Sequence, residues 1–225
     1  MSNQGGHEMI APLARRWDFL AGLMGQLGLK TFVEVGTHLG NTAAHILRTL
    51  PEARGITIDP WIVDPPVPEG KGEVVQREGL RMAHPDGPRM VEDRAIVSAA
   101  SGIEGFTKDG AELVEKTFWE NIGEHKDRVE HWRMTSTEAA KRAAGRLFDL
   151  VFIDALHDYD STLADIDAWW PRVRAGGVLA GHDFNLKWHG VERAVAARFN
   201  LMSVGVGPDS VWFIVKPEEE LDAAA

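Results

Sequence analysis

The stretch Thr31–Leu50, TFVEVGTHLGNTAAHILRTL, limits the fold of this chain more than any other. Its first residues, Thr31–Val35, are apolar and β-branched around one acid, the composition of a strand buried on both faces. Gly36 to Gly40 interrupts that run, and beyond it the period changes to that of a helix. Ala43, Ile46, Leu47 and Leu50 recur at i, i+3, i+4 and i+7, with Asn41 as the expected N-cap. Strand, glycine turn and helix in that order present backbone N–H groups at the carboxyl end of a strand, where α/β sheets bind ligands. Glu34 stands out, because a carboxylate inside an apolar strand is costly to bury and needs a compensating role.

The rest of the chain repeats this alternation. Upstream, Ile10, Leu13, Trp17, Leu20, Met24 and Leu27 follow at steps of three and four, an amphipathic helix of about five turns. Pro12 suits its first turn and Gly28 its end. This extension, residues 1–29, is suited to lie across the sheet, to form the seam of a homodimer, or to wall a substrate site. Arg54–Asp59, RGITID, is a second buried strand that ends in an acid 25 residues after Glu34. Residues from about 62 to 110 are dense in Pro and Gly (DPPVPEGKGE, AHPDGPRM, SGIEGFTKDG) and read as an insertion or lid over the substrate face, or as a mobile excursion, with a short helix or strand within Val91–Ala100.

Ala111–Gly123 reads as a helix with Val114, Phe118 and Ile122 on one face, Arg128–Met134 as a third strand, and Ser136–Ala144 as a short helix. Phe148–Asp154, FDLVFID, is the strongest strand and again ends in an acid. Thr162–Val173 reads as a helix with Leu163, Ile166, Trp170 and Val173 inward, and Gly176-Gly177 as the turn into a strand, Val178–Gly181. A helix over Val191–Phe199 and an antiparallel hairpin, Leu201–Val206 with Val211–Val215, close the pattern before a flexible acidic tail, 217–225. Alternating strands and helices give one domain with a doubly wound parallel sheet and right-handed crossovers.

Composition narrows the function classes. A chain of 225 residues with net charge -10 and no basic run of five residues is a poor match for a nucleic-acid backbone. With no cysteine there is no disulfide, thiolate metal site or thiol nucleophile. No apolar run approaches about 18 residues and the N-terminus is not basic-then-apolar, so neither membrane span nor signal peptide is expected and the cytoplasm is the expected compartment.

The glycine turn decides between ligands. A dinucleotide fingerprint needs glycine at the third and sixth positions from Gly36, where this sequence has His38 and Asn41, and no Gly-Lys-Ser/Thr follows for a P-loop. What remains, E-x-G-x-x-x-G, allows close backbone approach only at Gly36 and Gly40, which suits a ligand without a pyrophosphate. EVGTHLGNTA resembles the first motif of class I S-adenosylmethionine-dependent methyltransferases, and ITIDPW their second. FDLVFIDALHDYDSTLADIDAWWPRVRAGGVLAGHD resembles their small-molecule O-methyltransferase branch, and the likeness spans Thr31–Asp59 and Asp127–Val215.

The resemblance implies a Rossmann-like doubly wound, mostly parallel α/β sheet with a C-terminal antiparallel hairpin, and S-adenosylmethionine as cofactor. Glu34 would orient the glycine loop and hold the methionine amino group; Gly36, Thr37, Gly40 and Asn41 would line that end. Asp59 would accept both ribose hydroxyls, in two charge-assisted bonds of about 1.5–3 kcal/mol each. Trp61 would cover the ribose or adenine. Met134, Thr135 and Ser136 stand where the family contacts adenine; the family often has an acid there, and this sequence offers hydroxyls.

Asp154, His157, Tyr159, His182 and Asp183 follow the fourth and fifth strands of the motif order and share one rim of the sheet. Metal-dependent relatives hold a divalent cation with an acid after the fourth strand and an Asp-Asp or Asp-Asn pair after the fifth; here these positions carry Asp154 and His182-Asp183. Two carboxylates and an imidazole suit magnesium less than manganese, iron or zinc. With a cation (magnesium or manganese in most such enzymes) the acceptor hydroxyl would be acidified; without one, His157 or His182 would be the general base. The expected activity is methyl transfer to a hydroxyl of a small molecule such as a sugar or natural product, against the alternative of a non-catalytic adenosine-binding or scaffold protein.

Overall fold

The computed structural model describes residues 14–61, 77–82, 89–93, 96–98, 104–106 and 108–218, with side chains in 14–61 and 111–218. The strands of the main sheet are β1 (Thr31–Val35), β2 (Arg54–Ile58), β7 (Val129–Trp132), β8 (Phe148–Ile153), β9 (Val173–Gly181), β10 (Gly205–Val206) and β11 (Trp212–Val215). Their order is β10-β11-β9-β8-β1-β2-β7, parallel except where β11 runs antiparallel between β9 and β10. The fold is therefore the expected Rossmann-like α/β sheet with an antiparallel C-terminal hairpin. Within the expected insertion the backbone forms two short antiparallel pairs, β3 (Arg77–Met82) with β4 (Arg89–Asp93) and β5 (Ile96–Ser98) with β6 (Glu104–Phe106). The expected element in Val91–Ala100 corresponds to the end of β4 and to β5.

The helices are α1 (Arg16–Leu27), α2 (Asn41–Thr49), α3 (Lys108–Ile122), α4 (Ser136–Arg142), α5 (Tyr159–Trp169) and α6 (His189–Arg198). Two cores form because side chains of a strand alternate between faces. In β8, Leu150 and Phe152 face α1, α2 and α3, whereas Val151 and Ile153 face the layer of α4, α5 and α6. Both faces are covered, so the strands of the sheet's centre are apolar throughout rather than alternating. The apolar stripe of α1 is buried within the chain through Leu20, Ala21 and Met24, leaving Leu27 exposed.

Several boundaries differ from the sequence reading. The helix expected over Thr162–Val173 is α5 at Tyr159–Trp169, and Val173 instead opens β9, because a 3-10 turn at Trp170–Arg172 ends the helix before it. Helix α1 starts at Arg16, because Ala14 and Arg15 are not helical; Ile10, Pro12 and Leu13 lie outside the described residues, as do residues 1–6 and 219–225. The N-cap of α2 is Gly40, in the left-handed region at φ 71°, and Asn41 is its first helical residue. Gly176-Gly177 makes no turn between elements: β9 runs through it as a bulge, with Gly176 at φ 69° and the register against β8 shifted. Leu201–Ser203 forms a 3-10 turn, which shortens β10 to Gly205–Val206, and Trp169 joins Ile166 as a fully buried inward residue of α5.

Candidate active site

The carboxyl ends of β1, β2, β7 and β8 converge with α5 on a cavity of about 440 Å³. The strand ends are tied to one another by backbone bonds that prolong the ladder. Gly36 N donates to Ile58 O at 2.8 Å and Asp154 N to Val35 O at 2.8 Å. Gly36 has φ 83°, and a Cβ there would sit 2.2 Å from the carbonyl oxygen of Asp154. Only glycine allows this approach, so the first glycine of the motif is required by the chain's own backbone as well as by any ligand.

Beneath the glycine loop, Glu34 is 3% exposed and accepts a hydrogen bond from the Thr37 hydroxyl at 2.7 Å. Burial pushes its carboxyl up to about 7. Asp59 accepts from the backbone N–H of His38 at 2.8 Å and of Trp61 at 2.9 Å, which pins the loops after β1 and β2 together. Burial pushes this carboxyl up too, against the pull of those two bonds. His38 and Trp61 hold left-handed backbone, φ 47° and 39°, and Asp183 does so at 59°. Such positions are uncommon for non-glycine residues and gather at functional rims.

Of the residues singled out for the cofactor, Gly36, Asp59, Thr135, Ser136 and Asp154 border the cavity. Glu34 and Thr37 lie behind it. Gly40 and Asn41 face α3 instead: a Cβ on Gly40 would meet the Phe118 ring at 2.6 Å, and Asn41 accepts from Asn121 at 3.4 Å. Trp61 does not border the cavity. Its indole is 1% exposed, stacked on His131 at 4.2 Å and edge-on to Phe118 at 5.5 Å. The reason is its left-handed backbone together with the bond from its Nε1 to His38 O at 3.1 Å, which turn the ring into the core.

Thr135 is occupied as a helix cap, its hydroxyl donating to Glu138 at 2.6 Å while Glu138 accepts from its N–H at 3.1 Å. Sequence reasoning missed Asp165, which borders the cavity from α5 and is 6% exposed. The signal was available: Asp165 sits on the same helix face as Thr162, Ile166 and Trp169, a carboxylate in a buried stripe like Glu34. Burial pushes it up to about 6, with Ser136 hydrogen bonding partly opposing.

The second group of polar residues stands at the ends of β8 and β9. Asp154 is the hub: its carboxylate lies 3.5 Å from His182 Nδ1 and 3.7 Å from His157 Nε2. Asp183 reaches the same two imidazoles, at 2.8 Å from His157 and 3.3 Å from His182. Burial alone would lower the two imidazoles, but their hydrogen bonds to Asp154 and Asp183 outweigh it and raise both to about 9. Against the same burial cost, those bonds hold both carboxyls well below the usual carboxylate range. Two further charges went unread in the sequence: Arg16, at the start of α1, lies 3.4 Å from Asp154, and Asp209 in the hairpin turn accepts from Arg16 N at 3.2 Å. No local pattern marks either one, since both depend on chain segments that meet only in the fold. His189, at the start of α6, is exposed and faces Glu192, while Asn185 donates to Ser210 at 3.1 Å.

Asp154, His182 and Asp183 offer ligand atoms that all lie within 4.8 Å of one another. The buried Nε2 atom of His182 forms no hydrogen bond, and the donor set of two carboxylates and an imidazole matches a divalent cation of the manganese type. These residues fit such an ion. Among the described residues, no helix is long and apolar enough to cross a membrane.

Comparison with known proteins agrees with this layout. The O-methyltransferase NovP superposes with a TM-score of 0.57 at 15% identity, over 90% of this chain and 79% of that one. CalS11, a TDP-rhamnose 3'-O-methyltransferase of calicheamicin biosynthesis, gives 0.52 at 15% identity over 89% and 80%. An O-methyltransferase from Bacillus cereus in complex with SAH gives 0.50 at 18% identity over 94% and 84%. At such identities the likeness is one of fold. A comparison with curated proteins finds no match. A model of the methyltransferase domain matches residues 33–184, from β1 to the residue after Asp183 and more than half of the chain, and the protein belongs to the class I S-adenosylmethionine-dependent methyltransferases.

Proposed function

We propose that this methyltransferase transfers the methyl group to a hydroxyl of a small molecule, of the sugar or natural-product kind. The observation that carries this reading is the double placement of Asp154, which borders the cofactor cavity and is also the hub of the Asp154–His157–His182–Asp183 cluster. A methyl donor in the cavity and an acceptor oxygen at the cluster would therefore meet across one side chain. CalS11, a TDP-rhamnose 3'-O-methyltransferase, shares the fold and supports the acceptor class by analogy only.

In this reading Asp59 accepts the ribose hydroxyls through the lone pairs its two backbone bonds leave open. Glu34 and Thr37 fix the glycine loop against which the methionine part lies. Asp154, His182 and Asp183 would hold a divalent cation, which when bound would lower the pKa of an alcohol beside it. His157 stands outside that ligand set and is a candidate base for the hydroxyl proton, joined by His182 without a cation; either acts only in its neutral form, which the bonds to Asp154 and Asp183 disfavour at neutral pH. Most of the rate enhancement is expected from alignment of hydroxyl and methyl group. The acidic chain disfavours a nucleic-acid acceptor.

Two measurements test this. Calorimetry is expected to give micromolar binding of S-adenosylhomocysteine, and absence of heat with it and with S-adenosylmethionine would overturn the cofactor assignment. Turnover on a panel of sugar nucleotides and phenols, followed by mass spectrometry, is expected to show O-methyl products that decline on chelation and return with manganese. Products methylated only on nitrogen or carbon would overturn the acceptor class.

A further inference from the structure

At the end of the cavity where relatives often place an acid against adenine, this chain has Thr135 and Ser136, neutral hydroxyls whose protons are already committed. Thr135 donates to Glu138 at 2.6 Å. Ser136 accepts from the Trp169 indole N–H at 2.9 Å, and its own proton is directed to Asp165. Asp165 and Trp169 stand one turn apart on the same face of α5, so they flank Ser136 from one side. A carboxylate has about four acceptor sites, and Ser136 fills one of them. Among the described residues Asp165 forms no ion pair. It is thus the carboxylate of this end, with acceptor sites to spare and a stronger acceptor than the hydroxyls beside it.

The surrounding wall is apolar, formed by Ile58, Ala155, Leu156 and Ala164. A slot with apolar sides and one carboxylate in its edge suits a flat ring that carries an uncharged N–H donor in its plane. The 6-amino group of adenine is such a donor, whereas a purine with a carbonyl oxygen at that carbon would set oxygen against oxygen. We propose that Asp165 selects the adenine ring by accepting a hydrogen bond from its 6-amino group. The acid absent from the loop after β7 is thereby supplied from α5. This inference rests on the reading that the cavity holds S-adenosylmethionine.

The test compares S-adenosylhomocysteine with its deamino analogue, which carries hydrogen at C6 of the purine, by calorimetry on the full chain. The wild type is expected to bind the amino form at least tenfold more tightly. Asp165→Ala is expected to bring the two ligands within threefold of each other by weakening the amino form alone. Asp165→Asn keeps the shape and serves if the alanine variant does not fold; it is expected to narrow the difference at least threefold. A wild type indifferent to the amino group, or variants that keep the full difference, would overturn the proposal while leaving the cofactor assignment intact. A wild type that binds neither ligand would overturn both.

Discussion

Two halves of one rim treat their carboxyl groups in opposite ways. On the half proposed for the cofactor, burial pushes Glu34, Asp59 and Asp165 up, and none forms an ion pair among the described residues. On the reaction half, bonds to His157 and His182 outweigh the same burial cost and hold Asp154 and Asp183 down. The first set is a group of acceptors without countercharge, a costly state that a ligand with a sulfonium, an ammonium group and hydroxyl donors relieves. The second set brings its own cations and is stable as it stands. In the proposed reading the first half is completed by the cofactor, while the second keeps its charges paired until a cation or substrate enters.

The sharpest way to break this contrast is to exchange the readouts of its two halves. Asp59→Ala would remove both proposed ribose bonds and is expected to weaken S-adenosylhomocysteine by a factor of about 100 or more, since two charge-assisted bonds are worth about 3 kcal/mol or more together. Asp183→Ala is expected to leave that affinity within about threefold and to lower turnover instead. Calorimetry and steady-state kinetics on both variants decide it; equal losses of affinity would erase the distinction. Gly36→Ala should damage both halves together, because the added methyl group meets the Asp154 carbonyl 2.2 Å away at a backbone of φ 83°. An unfolding free energy lower by about 4 kcal/mol is expected by denaturant titration, with cofactor binding lost.

Glu34 gives a pH signature of the ligand-seeking half. Its folded carboxyl stands at about 7 against an unfolded value of 4.5, so the folded state binds more protons between those values. Its contribution to stability is therefore full below the unfolded value and is lost as pH rises through about 7, a loss of roughly 3 kcal/mol. Chemical denaturation of the ligand-free protein at pH 5 and pH 8 should show this decline, and Glu34→Gln should flatten it. A wild type as stable at pH 8 as at pH 5 would count against an unrelieved buried acid. The smallest effect expected is on binding itself: a cationic ligand lowers the Glu34 value, so binding near pH 6.5 should release a fraction of a proton, read from calorimetry in buffers of different ionisation enthalpy.

Much of the sheet was readable because its evidence is local. FDLVFID is a strand wherever it packs, and Ala111–Gly123 carries its helical period in Val114, Phe118 and Ile122, all buried as expected. Misread boundaries fall where a local rule competes with packing. Asn41 is a good N-cap residue, yet Gly40 takes the position because only a residue without Cβ fits beside Phe118. Gly176-Gly177 looks like a turn and instead bulges a strand, because β8 and β11 hold both sides of β9 in register.

By itself the sequence determined the order of strands and helices, the glycine turn, and the acids at strand ends, since each follows from spacing within a few residues. It also argued against a dinucleotide, through His38 and Asn41. Only the tertiary structure decided which of these residues meet. It turned Trp61 into the core, brought Asp165 from α5 to the cavity and Arg16 from α1 to Asp154. The physical reason is that a side chain's charge state and free lone pairs depend on neighbours distant in sequence. Asp154, Asp165 and Asp183 are the same residue type, and burial together with partners as far as 138 residues away sets them apart.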